Sequence, residues 1–156
     1  MKVKTIARAI SRPIYRPVDR PGSQLGPVLG PEMAPSLTDG AWTSGLAGFT
    51  QDGSGLHLSG SNGGAVVHTL DTEDNVTYQI TYTVSLTSGS VFWQLYGDTS
   101  AHLGKTTEMF ASGTYTEQVT TNTAGSLNNT LRVVAGGGAG ANTFNITALS
   151  IKKVLG

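Results

Sequence analysis

Residues 76–86 read Val-Thr-Tyr-Gln-Ile-Thr-Tyr-Thr-Val-Ser-Leu, so every second side chain is apolar. Val76, Tyr78, Ile80, Tyr82, Val84 and Leu86 share one side, and Thr77, Gln79, Thr81, Thr83 and Ser85 share the other. Successive strand side chains point to opposite faces, so this period of two specifies a β-strand with one face on a core. Such a strand needs a sheet to join and a second layer to cover its apolar side.

The chain downstream of Trp42 supplies both. After the turn Thr87-Ser88-Gly89, residues 90–96 (SVFWQLY) form a denser apolar strand. Further strands are expected at residues 56–59, 65–70, 106–110, 115–121, 130–135 and 143–152, many of them set apart by glycine-bearing breaks. No stretch has helical periodicity. The expected fold is all-β, a two-sheet antiparallel sandwich of about 8–9 strands. Phe92 and Trp93 are adjacent in one strand and must face opposite ways.

The N-terminal segment is a different physical object. All six prolines fall within the first 35 residues. From Arg8 the sequence runs in tetrads, R-A-I-S, R-P-I-Y, R-P-V-D, R-P-G-S, with Arg8, Arg12, Arg16 and Arg20 each followed two places later by Ile10, Ile14, Val18 or Gly22. Pro13, Pro17 and Pro21 keep this repeat out of a helix, because each lacks an amide donor and disfavours helical geometry at the residue before it. An extended or polyproline II-like chain results, in which a tetrad advances about 12–14 Å. Residues 22–35 repeat L-G-P and read as a semi-rigid spacer. Residues 1–38 hold six basic and two acidic side chains, a net +4; residues 39–156 hold four basic and eight acidic ones, a net −4. The expected division is therefore an arm and spacer over 1–38 and one β-domain over 39–156. Arg8, Ile10, Arg12, Ile14, Tyr15, Arg16, Val18 and Arg20 are the expected partner-docking residues. A guanidinium and an aliphatic knob in each tetrad suit a groove with acidic spots and shallow pockets.

Several function classes are excluded or set aside. The chain has no cysteine, which removes disulfides and thiolate metal sites. No apolar run approaches the ~20 residues of a membrane-spanning helix, and residues 1–10 lack the apolar core of a secretory signal. There is no G-x-S-x-G nucleophile elbow, and the glycine tract at 136–140 lacks the Lys-Ser/Thr ending of a phosphate loop. No enzymatic activity is expected. His57, His68 and His102 fall in different elements, and the first two read as structural histidines on strands. Sugar binding needs an aromatic platform beside polar groups; Trp93 and Tyr96 are the candidates, together with Tyr78, Tyr82 and Tyr115, and a core or subunit-contact role is preferred for Trp93. Tyr78 and Tyr82 alternate in phase with the core side chains and read as core.

The order of motifs carries a resemblance. Ala41-Trp42 is followed by G-L-x-G-F at 45–49, S-G at 59–60, T-Y-x-I-x-Y-x-V at 77–84, S-G-S-V at 88–91, A-S-G-T-Y-T at 111–116 and F-x-I-x-x-L-S-I-K at 144–152. Residues 40–154 so ordered resemble the jelly-roll domain of carbohydrate-binding-module type found in bacteriophage fibre, tail and head-decoration proteins. The Arg-Pro arm is similar to the virion-attachment segments of phage structural proteins. The resemblance implies a jelly roll in which exposed aromatics stack on glycan rings. It also implies a structural calcium, for which Asp71, Glu73 and Asp74 are the candidate oxygen ligands, although a plain solvated turn is preferred there. No other cofactor is expected.

The leading expectation is a bacteriophage virion structural protein, a head-decoration or fibre protein resident in the virion. Its arm would dock on a capsid or fibre partner while the domain projects, and a homo-oligomer is expected, with a trimer favoured. An alternative is a glycan-binding adhesin module that attaches to a host-surface glycan. Another is a small coat protein whose basic arm contacts packaged nucleic acid. Nucleic acid is not the favoured partner, because six basic residues diluted by proline form a weak patch.

Overall fold

The computed structural model describes residues 26–61, 63–97, 102–121, 128–136 and 141–156. The expected docking residues, Arg8 to Arg20, lie outside them. Among the described residues ten strands run in order: β1 (Val28–Glu32), β2 (Phe49–Asp52), β3 (Gly55–Ser61), β4 (Gly64–Thr72), β5 (Thr77–Ser88), β6 (Val91–Gly97), β7 (His102–Lys105), β8 (Gly113–Thr120), β9 (Asn128–Ala135) and β10 (Asn142–Leu155). They form two antiparallel sheets, one ordered β2-β3-β10-β5-β8 with β1 also paired to β10, the other ordered β4-β9-β6-β7. The expected all-β sandwich is the fold found.

The period-two strand is β5, held between β10 and β8 in the six-stranded sheet, and its apolar face is the core: Tyr78, Ile80, Tyr82 and Val84 are buried. Its long partner β10 has apolar residues at 144, 146, 149 and 151, a period that slips by one. The register with β5 shifts between Ile146 and Ala148, and this bulge returns Ile151 to the buried side that Phe144 and Ile146 occupy. Without it a strict alternation would turn the second half of the strand inside out.

The four-stranded sheet closes the other side with Val66 and Leu70 of β4, Val91, Trp93 and Leu95 of β6, and Leu131, Val133 and Ala135 of β9. Trp93 is at the centre. It meets Trp42 edge-on at 6.1 Å between ring centres and Tyr82 of the opposite sheet at 5.8 Å. Fully burying aromatic and aliphatic side chains of this size contributes roughly 1.5–3 kcal/mol each, so these contacts hold the layers together.

Several details differ from the sequence expectation. The supposed spacer contains β1, whose Val28 and Leu29 pair with Leu155 and Val154. The cause is local: β3 covers β10 only over Asn142–Ile146 and leaves the later amides on that edge to be satisfied. Pro31 brings no donor, and the ladder is irregular between Leu29 and Glu32, where it falls. The chain then folds onto the sandwich, with Met33 N–H donating to Ile151 at 2.8 Å and Leu37 buried. Residues 106–110, expected as a strand, make a single bridge from Met109 to Val91. The strand there is the earlier and shorter β7.

Candidate functional site

The outer face of the four-stranded sheet is built by its register. Thr43 bridges Val67 of β4, Val67 pairs with Arg132 of β9, Arg132 with Gln94 of β6, and Gln94 with Lys105 of β7. Directly opposite residues share a face, so Thr43, Val67, Arg132, Gln94 and Lys105 form one row across the sheet. Burial of Leu131, Val133, Trp93 and Leu95 on either side of Arg132 and Gln94 places this row outward. A parallel row holds Ala65, Val134 and Phe92; another holds Thr69, Thr130 and Tyr96.

At one end of these rows an open depression of about 280 Å³ is lined by Ala41, Thr43, Val67, His68, Thr69 and Thr130. His68 is part of its lining: Nδ1 lies 2.7 Å from the Thr69 carbonyl oxygen and Nε2 lies 3.1 Å from Asp39 Oδ2. Trp42 backs it at 5.1 Å between ring centres. At the other end Lys105 Nζ sits 5.7 Å from the centre of the Phe92 ring, a cation–π contact on the exposed side.

The outer face of the six-stranded sheet is chemically different. Thr77, Thr81 and Thr83 of β5 hydrogen-bond to Thr120, Thr116 and Thr114 of β8 at 2.8, 3.0 and 2.8 Å. Those hydroxyls spend hydrogen-bonding capacity on one another, and this face bears no aromatic platform on these two strands.

The expected site residues fall in several places. Trp93 is wholly buried, which corrects its candidacy as a platform: of the adjacent pair, the larger indole fills the core and Phe92 faces outward. Tyr96 lies opposite Thr130 in the register, and its side chain is outside the described set. Asp71, Glu73 and Asp74 do not converge, and no group of three acidic or histidine side chains able to hold a metal ion occurs among the described residues. Glu73 is instead turned to Lys153 Nζ, at 2.8 and 2.9 Å. These residues do not fit the calcium that the resemblance implied.

His57 joins the β2–β3 hairpin to β10. Its Nδ1 is 2.8 Å from Asn145 Oδ1, and its Nε2 is 3.0 Å from both Asp52 Oδ1 and Ser54 Oγ. The Ser54 hydroxyl donates to Asp52 at 2.6 Å. Its proton is therefore directed away from the imidazole, unlike that of an activated nucleophile. The hydrogen bond to Asn145 raises the His57 pKa, burial opposes it, and Asp52 adds to the rise.

Gln94, Arg132, Lys105 and Phe92 were not singled out from the sequence as site residues. The register that brings them together joins residues far apart in the chain, and only the alternation of residues 90–96 hinted that Gln94 and Phe92 share a face.

No protein-family model matches the chain, and no curated protein matches it in sequence. Among solved structures, it is similar to a CBM4 carbohydrate-binding module, with 16% identity, TM-score 0.56, 72% of this chain and 94% of that chain covered. It is also similar to the xylan-binding module CBM15, with 17% identity, TM-score 0.51, 82% of this chain and 97% of that one. A third similarity, at 12% identity and TM-score 0.50, is to Xylanase10C from Cellvibrio japonicus in complex with xylopentaose; it covers 80% of this chain but 28% of the xylanase. Identities this low show a shared fold, the carbohydrate-binding-module jelly roll.

Proposed function

We propose that this chain is a glycan-binding module and that the outer face of its four-stranded sheet is the binding surface. The observation that carries the reading is the row Thr43–Val67–Arg132–Gln94–Lys105 beside Phe92 and the adjoining depression. Pyranose rings are recognised by an apolar ring face together with hydroxyl, amide and guanidinium groups that bond the sugar hydroxyls. This face offers Phe92 for the first and Gln94, Arg132 and the threonines for the second. On the opposite sheet the threonines of β5 and β8 hydrogen-bond to one another. The fold likeness to modules named for carbohydrate or xylan binding supports the same reading. An open surface of this kind suits holding a chain rather than cleaving it.

The virion role expected from the arm is compatible with this reading and remains a proposal about residues outside the described set: a tethered module displayed on a particle. The glycan reading is tested by applying the full chain to a glycan microarray alongside Gln94→Ala and Phe92→Ala variants. Binding to a defined glycan group, reduced several-fold by either variant at unchanged melting temperature, supports it. Binding that both variants leave intact would place recognition elsewhere and refute the assignment of this face.

A further inference from the structure

We infer that residues 8–20 dock by strand addition on the open edge of β8 in a second copy of this chain. The sequence of the arm is built for one-sided pairing. Pro13, Pro17 and Pro21 all stand at odd positions, whereas Arg8, Ile10, Arg12, Ile14, Arg16, Val18 and Arg20 fill every even position from 8 to 20. In an extended strand, alternate residues turn their N–H and C=O groups to opposite edges. All the missing donors therefore belong to one edge, and the other edge is complete. Such a segment can join a sheet on one side and is blocked on the other. The chain uses the same device once already, because β1 carries Pro31 and adds to the edge of β10.

Among the described residues β8 ends its sheet and pairs with β5 alone. Its eight residues make it longer than the edge strands β1, β2 and β7, and the remaining edge strand, β4, is bridged by Thr43. The Thr121 amide donates to the Val76 carbonyl at 3.0 Å, and the register from there to Gly113 has no shift. Alternation then points residues 113, 115, 117 and 119 at β5, and turns the backbone groups of Thr114, Thr116, Gln118 and Thr120 to the open edge. No proline or lysine interrupts that edge. Two tetrads of the arm offer four even residues, as many as β8 has open positions. Paired residues share a face, so Pro13, Tyr15 and Pro17 would lie beside Tyr115, half-buried against the core, and the arginines beside the threonines. Residues 106–121 hold two acidic and no basic side chains, the complement of the arm.

The direction of the strands selects a second copy. β1 opens opposite Leu155, at the end of the sheet where β8 finishes, because Lys153 is opposite Tyr78 and Tyr78 opposite Val119. Residues 21–27 span at most about 25 Å. Reaching the far end of β8 from β1 means crossing four strand spacings and the length of β8, roughly 33 Å. A chain's own arm can therefore meet its own β8 only in the parallel sense. The arm of a second copy is free to enter antiparallel, the more stable ladder.

The test is sedimentation velocity of the full chain over a concentration series, with amide exchange read by NMR on the same samples. Two double variants are compared with the wild type. Ile14→Pro with Val18→Pro removes donors from the complete edge, and Ser11→Pro with Asp19→Pro adds prolines to the edge that already has them. Both keep every arginine and leave the domain untouched. The wild type should self-associate, and the amides of Thr114, Thr116 and Gln118 should slow roughly tenfold or more as it does. The first double variant should abolish both effects, and the second should keep them. A chain that stays monomeric with those amides exchanging fast would overturn the inference. So would equal behaviour of the two double variants, which would reduce the contact to charge attraction. Protection of those amides in the monomer, independent of concentration, would assign the edge to the chain's own arm and refute the second copy. Association that leaves those amides fast would place the contact on another surface.

Discussion

Glu32 Oε1 accepts the Ile151 amide N–H at 2.7 Å, a bond that joins the end of β1 to the middle of β10. The same carboxylate accepts the Ser150 hydroxyl at 2.6 Å and the amides of Met33 and Ala34 at 3.1 and 3.0 Å. Burial pushes its pKa up, but the Ser150 hydroxyl and the amides of Ala34, Ile151 and Met33 outweigh that and hold it below 4.5. A depressed carboxylate pKa contributes stability that is present above the unfolded value and lost as pH falls through the folded one. Glu32→Gln is therefore expected to flatten the acid limb of the stability curve below about pH 4.5. At neutral pH, after allowance for solvent screening, it should cost about 1 kcal/mol. Urea melts across pH 3–7 check both.

The His57 clasp has the opposite sign on one side. Its raised pKa makes its contribution fullest below the ordinary 6.5 and lost as pH rises through the folded value. Asp52, held at about 2 by the Ser54 hydroxyl and amide and then by His57, contributes above 3.8 and loses its share as pH falls toward about 2. The β2–β3 hairpin should thus be best protected between about pH 4 and 6.5. Amide exchange of Leu56 and Leu58 should slow in that window, and His57→Gln should abolish the alkaline decline. Exchange that is flat across the window in the wild type would refute the clasp.

Trp93 and Phe92 should separate stability from binding. Trp93→Ala removes a fully buried side chain from between two aromatic neighbours and is expected to cost roughly 3–5 kcal/mol. The indole Nε1 has no hydrogen-bond partner among the described residues, so Trp93→Phe loses packing but no bond and should cost markedly less. Phe92→Ala should leave the melting temperature nearly unchanged and weaken glycan binding. A destabilised Phe92→Ala would argue that Phe92 is structural.

Gly55 opens β3 at φ +129°, and a Cβ there would lie 2.0 Å from the Ile146 carbonyl oxygen. Gly55→Ala meets both backbone strain and a clash with β10, so a loss of about 1–3 kcal/mol from strain alone is expected in thermal melts. A neutral substitution would mean that the β2–β3 turn moves more easily than its contacts imply.

What could be read from the sequence follows from which physics is local. The alternation of residues 76–86 carried β5 and the core role of Tyr78 and Tyr82. The F-x-I-x-x-L-S-I spacing of residues 144–151 already contains the bulge of β10, visible once its partner is known. β1 was hidden because Gly30 and Pro31 signal a linker, and it pairs only because β10 offers an uncovered edge more than 100 residues later. β2 and β7, four residues each, are too short to show a period. That Phe92 and Trp93 face apart was legible; which one is buried depended on the space left by Trp42 and Tyr82. The row from Thr43 to Lys105 depended on register, which no stretch of local sequence states.

The most direct test of the central claim is where a glycan touches the protein. A titration of the isotope-labelled full chain with a soluble oligosaccharide that binds on the array, followed by amide shifts, answers it. The account predicts perturbations gathered at Val67, Thr69, Gln94, Lys105, Thr130 and Arg132, with β5 and β8 silent. Perturbations gathered instead on the threonine ladder of β5 and β8, or none across glycans that bind, would contradict it.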